Sequence, residues 1–198
     1  MPLYKILLSD MVEQIGEEST SSVLSNFSCP QNQDIEYFIR KKAIEFSKQH
    51  IASTHLVFSQ YKGEKVLVGY YTIANKMIVI PKKHISNSIG RRIARFSEQN
   101  QEKTAYILPS ILIAQIGKNF ENGYDKLLTG QELLGEALET AARIQSLSSG
   151  KVVFLECEDH ERLKQFYREN GFFEFGKRKL DRDEDIKGTE LIQMLKYL

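Results

Sequence analysis

The chain is short of the residues that announce a specialised class. It has two cysteines in 198 residues, Cys29 and Cys157, too far apart for metal-ligand spacing. Cys157 lies in an apolar run and reads as a reduced core thiol. The four histidines, His50, His55, His84 and His160, include no spaced pair of the kind that holds zinc. No G-x-S-x-G turn and no Walker loop are present, which removes serine-hydrolase and P-loop chemistry. There is no excess of charge. A formal net charge of +1 argues against bulk electrostatic binding of nucleic acid and leaves only a local basic face open. No apolar run approaches the roughly 20 residues of a membrane helix. Lys5 is followed by only three apolar residues before Ser9-Asp10, which is no secretory leader. These absences predict a soluble, cytoplasmic protein with no membrane partner. Repeats, low-complexity tracts and interdomain linkers are missing too, so residues 1–198 are expected to form one domain.

What is present is a run of alternating elements. Leu3 to Leu8 reads as a strand, with a helix as the alternative, and Ile15 to Leu24 as a short helix. Asp34 is placed to cap a helix to about His50, whose apolar positions Ile35, Phe38, Ile39, Ala43, Ile44 and Phe46 recur at helical spacing. Thr54 to Gln60 and Val66 to Ala74 form a hairpin around Lys62-Gly63-Glu64. Lys82 to Gln101 reads as a basic amphipathic helix: Ile85, Ile89, Ile93 and Phe96 share a face, and Arg91, Arg92 and Arg95 stand on others. It is either a packed helix with a solvated charged side or the wall of a cleft that favours an acidic partner. Lys151 to Glu156 is a buried strand, and Glu158 to Asn170 a helix closed by Gly171. Phe172 to Lys177 and Leu191 to Tyr197 form a closing antiparallel pair, and the charged LDRDEDIKG between them is expected to be mobile. This order predicts an α+β fold with a mixed, mostly antiparallel sheet, in which two central strands joined by a helix are parallel.

Leu108 to Gly130, LPSILIAQIGKNFENGYDKLLTG, is the centre of the chain. Ser110 to Ile116 is a short apolar strand. Gly117 to Leu128 is a polar loop with the turn pair Asn122-Gly123. Thr129 or Gly130 opens a helix whose Leu133, Leu134, Ala137, Leu138, Ala141 and Ile144 share one face. A strand, a loop and a helix N-terminus make an anion site. First-turn N–H groups lack intrahelical partners there, and the macrodipole adds about half a positive charge. Lys118 and Lys126 flank it, so a phosphorylated ligand is the expected guest.

Three stretches resemble the GNAT superfamily of N-acetyltransferases. Pro109 to Asn119 occupies the frame of that family's central strand. Gly130-Gln131-Glu132-Leu133-Leu134 matches the last glycine of its pyrophosphate loop and the helix start. Phe166-Tyr167-Arg168-Glu169-Asn170-Gly171-Phe172 matches its L/F-Y-x-x-x-G-F in full. The order of elements from Phe27 to Tyr197 agrees. The first half also looks like a bacterial subgroup that includes toxin-type enzymes acetylating the amino acid on charged tRNA. The departures are specific. Asp125, Lys126 and Leu128 stand where the family prefers Gln/Arg, Gly and Gly, and His160 where many members have asparagine. Either Lys126 and the Thr129 hydroxyl compensate for the lost backbone amides, or acyl-CoA binding is weak or absent.

The resemblance implies a splayed pair of parallel central strands that takes acetyl-CoA as co-substrate, with no metal. The pantetheine amides would pair with the main chain of Ile116, Gly117 and Lys118, as an added strand does. The pyrophosphate would rest on N–H groups near Leu128, Thr129, Gly130 and Gln131, with Lys126 as charge partner. Tyr167 would protonate the CoA thiolate as general acid. Glu156 and Glu158 flank Cys157 at a strand end, and one of them is the candidate base. The expected acceptor is a primary amine of a small molecule, peptide or protein. The alternatives are a charged tRNA, as for a toxin of a toxin-antitoxin pair, or an inactive module of the same fold. A homodimer stays open.

Overall fold

The structure, a computed structural model, describes residues 2–148, 150–179 and 190–198. In chain order the elements are β1 (Leu3–Leu7), α1 (Leu8–Ile15), α2 (Glu17–Ser25), α3 (Gln33–Tyr37), α4 (Ala43–Lys48), β2 (Ser53–Tyr61), β3 (Glu64–Pro81), α5 (Asn87–Ile93), β4 (Glu98–Gln99), β5 (Ala105–Lys118), α6 (Gly130–Ser148), β6 (Val152–Glu158), α7 (Glu161–Glu169), β7 (Phe173–Lys179) and β8 (Glu190–Tyr197). The strand order is β1-β2-β3-β5-β6-β8-β7, with β4 on β5. β5 and β6 run parallel through the α6 crossover and the other neighbours are antiparallel. This is the expected α+β class with a mixed sheet. The charged LDRDEDIKG lies outside the described residues.

The chain forms two compact units, Met1–Ala74 with Ile113–Glu139, and Asn75–Leu112 with Thr140–Leu198. In the first, β1 and β2 pair from Leu3↔Ser59 to Leu7↔His55. β2 and β3 pair out to Tyr61↔Glu64, so the connection is Lys62-Gly63 alone, one residue shorter than the sequence implies. Both turn residues have positive φ, 50° and 89°, the backbone of a tight hairpin turn that follows the strand twist. The helices lay Leu8, Leu24, Phe38, Ile39 and Ala43 against Leu56, Phe58, Leu67 and Tyr70.

Three expectations about these helices need correction. Before the helix predicted over Ile15 to Leu24 there is a separate α1, parted from α2 by Gly16 at φ 81°. The cap of α3 is Asn32, whose side chain accepts from the Ile35 N–H at 3.1 Å. Asp34 instead accepts from the Gln115 amide on β5 at 3.0 Å. The predicted single helix from Asp34 to His50 passes through a π-helical turn, Phe38–Lys42, before α4. That turn keeps Phe38 and Ile39 on the buried side.

In the second unit, Ile78, Ile80, Ile93, Tyr106, Leu108, Val152, Phe154, Phe175 and Leu195 form the core. β8 pairs with β6 from Tyr197↔Val152 to Leu191↔Glu158, and with β7 on its other side. The predicted helix over Lys82 to Gln101 is mostly something else. Lys82–His84 is a 3-10 turn, α5 is seven residues capped by the Ser86 hydroxyl, and Glu98–Gln99 pairs with Ile107 and Tyr106 of β5. Helical spacing of the isoleucines was a true signal only as far as Ile93. Beyond it, a strand edge on β5 offers the backbone better-aligned partners than another helical turn.

Two glycines let backbone pack where a side chain has no room. A Cβ on Gly117 would lie 2.5 Å from Ile35 Cγ2, and one on Gly69 would meet Leu128 Cδ2 at 2.9 Å and the Gly117 carbonyl at 3.0 Å. Gly135, inside α6, would meet nothing within 4 Å. Gly117→Ala is therefore expected to lower the urea-unfolding free energy by about 1–3 kcal/mol through overpacking. Gly135→Ala is expected to raise it by about 0.5–1 kcal/mol through helix propensity. Equal effects of the two would contradict this packing.

Candidate active site

The end of β5 is held by one buried side chain. Asn119, 2 % exposed, donates from its amide to the Leu67 carbonyl at 2.9 Å. Its Oδ1 accepts from the Ser28 N–H at 2.9 Å and the Glu121 N–H at 3.0 Å. Its main-chain N–H donates to the Val68 carbonyl at 2.8 Å. Asn119 thus faces β3, and by the alternation of an antiparallel ladder so does Gly117. The approach of the Gly117 carbonyl to Gly69 agrees. Ile116 and Lys118 turn their N–H and C=O groups away from β3. Of the three expected backbone partners, Gly117 is therefore given to β3.

The loop beyond is built from the chain's own contacts. Glu121–Leu127 is a 3-10 segment with Asn122 and Gly123 in left-handed backbone at φ 50° and 74°. The Lys118 ammonium donates to the Asp125 carbonyl at 2.9 Å, so it braces the loop. Lys126 is exposed, and Leu128 is buried at 1 % exposure, packing toward Gly69.

Thr129 and Glu132 close the mouth of α6 as a capping box. The Thr129 N–H and hydroxyl both donate to the Glu132 carboxylate at 2.7 Å, and the Glu132 N–H donates to the Thr129 hydroxyl at 3.1 Å. The Thr129 N–H bond is the chief reason that the Glu132 carboxyl is held below its usual pKa. The expected anion donor at Thr129 is thus taken by an internal carboxylate. Gly130 and Gln131 keep first-turn N–H groups without intrahelical acceptors. The T-x-x-E spacing was visible in the sequence and names this competitor.

In the second unit, Tyr167 sits on the inner side of α7 at 6 % exposure, edge-on to Phe166 and Phe172 with centroids 5.2 and 5.7 Å away. Its carbonyl accepts the N–H groups of Asn170 and Phe172, which form the turn around Gly171 at φ 84°. Burial, and less strongly Cys157, push its hydroxyl pKa above the usual tyrosine value. The proton is retained at every physiological pH. Cys29 and Cys157 are free and buried. Burial pushes the Cys157 thiol up to about 12.

Glu156 and Glu158 both point off the buried side of β6, as strand alternation implies. Both oxygens of Glu156 are engaged, one by Arg178 Nε at 2.7 Å and one by the Gln193 amide at 2.8 Å. Neither partner had a signal in the sequence, because strand pairing brings them together. Glu156 faces Gln193 in the β6–β8 register, and Arg178 stands on β7 two strands away. Among the described residues no cluster of His, Cys, Asp or Glu could hold a metal ion, and no described helix is long and apolar enough to cross a membrane.

No protein-family model matches the chain and no curated protein matches it in sequence. Its fold does match solved structures over nearly the whole length. AtaT complexed with acetyl-methionyl-tRNAfMet superposes with a TM-score of 0.63 at 14 % identity, covering 96 % of this chain and 94 % of that one. A tyrosine-to-phenylalanine mutant of KacT gives 0.64 at 14 %, covering 98 % and 94 %. A similar mutant of the toxin AtaT, bound to the C-terminus of the antitoxin AtaR and acetyl-CoA, gives 0.60 at 13 %, covering 98 % and 92 %. The chain therefore has the GNAT-like fold expected from its motifs.

The buried thiol and phenol set an alkaline limit on stability. An unfolded Cys157 ionises near 9 while the folded one keeps its proton to about 12. The unfolded state binds fewer protons in that window, so stability is full below about pH 9 and falls as pH rises toward 12. Tyr167 adds to the fall above its ordinary value of 10. Urea midpoints are expected to drop from pH 8.5 to 10.5, with a shallower drop for Cys157→Ala, and parallel slopes would contradict the assignment.

Proposed function

We propose that the protein is an acetyl-CoA-dependent N-acetyltransferase. The observation that carries this reading is the whole-length match of its fold to a protein solved with acetyl-CoA. Acetyl-CoA is written here as a substrate. Its pantetheine amides pair with the main chain of Ile116 and Lys118, with Gly117 keeping the strand close to β3. Its diphosphate is met by the N–H groups of Gly130 and Gln131 and by Lys126, beside the buried Leu128. Because the Glu132 carboxylate holds the Thr129 N–H, a diphosphate gains that donor only if Glu132 turns away.

The acceptor amine attacks the thioester carbonyl as the free base. The C–N bond forms, the C–S bond breaks, and the thiolate leaves. Tyr167 supplies a proton to that sulfur, and burial suits it to the task by keeping the phenol neutral until then. The proton lost by the amine passes to a carboxylate or to water. Glu156 is the assigned carboxylate, with Glu158 on the same face as the second. Arg178 and Gln193 hold both of its oxygens, so its larger role is to orient the amine. Much of the rate then comes from holding amine and thioester together.

The acceptor is a primary amine of a small molecule, peptide or protein. A second reading has its own support. AtaT is solved with acetyl-methionyl-tRNAfMet, so an aminoacyl-tRNA is the alternative acceptor, and the protein would then act as a toxin. Induction of a toxin arrests growth; unaffected growth removes that reading.

Saturating acetyl-CoA is expected to raise the unfolding free energy, by about 2.7 kcal/mol at a hundredfold excess over Kd. No shift at millimolar coenzyme would leave an inactive module of the same fold. Tyr167→Phe is expected to lower kcat by about a hundredfold in a thiol-release assay with little change in acetyl-CoA affinity. Unchanged turnover would remove Tyr167 from the chemistry.

A further inference from the structure

The near-neutral net charge conceals a segregated basic stretch. Between Glu64 and Glu98 the chain has no acidic residue at all. Within that gap lie Lys65, Lys76, Lys82, Lys83, Arg91, Arg92 and Arg95, and the other Lys and Arg of the chain are outnumbered by its 26 Asp and Glu. The structure folds this stretch around a cavity of about 290 Å³, walled by Lys82, Ile85, Ser86, Asn87, Gly90, Arg91 and Tyr106. No carboxylate of the described residues lines it.

Among the described residues its cations are not spent on ion pairs. Lys82 donates to the Gln99 amide oxygen at 2.9 Å and lies 5.1 Å from the centroid of the Tyr106 ring. Among the described residues neither Lys82 nor Arg91 forms a salt bridge, whereas Lys164, Arg168, Lys177 and Arg178 of the same unit all do. Gly90 brings α5 close to the Tyr106 hydroxyl, where a Cβ would sit at 3.4 Å. The charge comes from side chains, since α5 has only seven residues and the Ser86 hydroxyl already accepts from the Ile89 N–H. From 82 to 97 no large apolar side chain is exposed. Protein partners need such anchors, and phosphate contacts do not.

We propose that this cavity is a phosphate-binding site. Lys82 and Arg91 carry the charge, while Ser86, Asn87 and the Tyr106 hydroxyl offer hydrogen bonds to the remaining oxygens. The ligand chemistry is a phosphate group, carried either by a small ester or by a nucleic-acid backbone. A second hollow shares Lys82 with it and is walled also by Pro81 and Lys83, a seat for the next phosphate of a chain. The site is independent of the acetyltransferase reading, because none of its residues is assigned there.

The test is a titration of ¹⁵N-labelled full-length protein with inorganic phosphate and, separately, with a short single-stranded RNA. The Gly90 amide is expected to shift saturably with phosphate. Lys82→Gln with Arg91→Gln is expected to weaken that binding about tenfold, each single change giving part of the loss, while Lys65→Gln has no effect. No saturable shift at about 20 mM phosphate, or a double variant that binds as the wild type does, overturns the proposal. So does an acidic peptide that occupies the cavity as tightly as phosphate does. RNA that binds more tightly than phosphate, with a salt slope reduced by about two in the double variant, identifies a backbone as the source and supports the site. RNA no tighter than phosphate supports it with a small ester as source. Acetyl-CoA affinity is expected to be the same in the double variant. If it falls in step with phosphate affinity, the cavity belongs to the coenzyme and the separate site is overturned.

Discussion

The first unit depends on a single buried amide. Asn119 uses its main-chain N–H, its side-chain oxygen and its amide hydrogens at once, tying the residue just after β5 to Leu67, Val68, Ser28 and Glu121. Each partner is a main-chain group that would otherwise be left without a mate, at a cost of about 1–3 kcal/mol apiece when buried. Phe120 continues the clamp by donating its N–H to the Ser28 carbonyl. The direction of the following loop, and the point at which α6 can begin, are consequences of this anchor. Gly69 and Gly117 make it possible by letting two strands and α3 approach without a Cβ between them.

From that anchor the proposed coenzyme site divides into a strong half and a contested half. In the proposed reading, Ile116 and Lys118 turn their main-chain groups away from β3, toward the arm with amides. The α6 mouth is different. The dipole and Lys126 favour an anion, but Glu132 is already there with a full charge, held by two short hydrogen bonds to Thr129. A diphosphate must displace an internal carboxylate or bind beside it. In the proposed reading, affinity for the nucleotide end of the substrate is therefore set by a local contest, and the strand edge carries the rest. This is the physical content of the missing loop glycines.

The candidate site was readable where local chemistry dictates it. The T-x-x-E step, the apolar face of α6 and the turn at Asn170-Gly171 all appear in the residues themselves, and each forms as its local chemistry requires. The Lys62-Gly63 hairpin was readable apart from one residue of loop length. Less was readable where a distant partner outbids local preference. Asp34 left its expected cap for Gln115, Asn32 took the cap, and the isoleucine-spaced stretch after Lys82 stopped being helical once Glu98–Gln99 met the edge of β5.

The sequence alone determined the alternation of elements, the α+β class and the crossover that makes β5 and β6 parallel. Those follow from periodicity, capping residues and connection length, which act over a few neighbours. Only the tertiary structure decided which backbone groups stay free and which charges are already paired. It gave Gly117 to β3, locked Glu156 between Arg178 and Gln193, and left Lys82 and Arg91 around a hollow that no carboxylate of the described residues lines. Each of these depends on the register between strands or on how loops return, and a one-residue change in register would exchange every such partner.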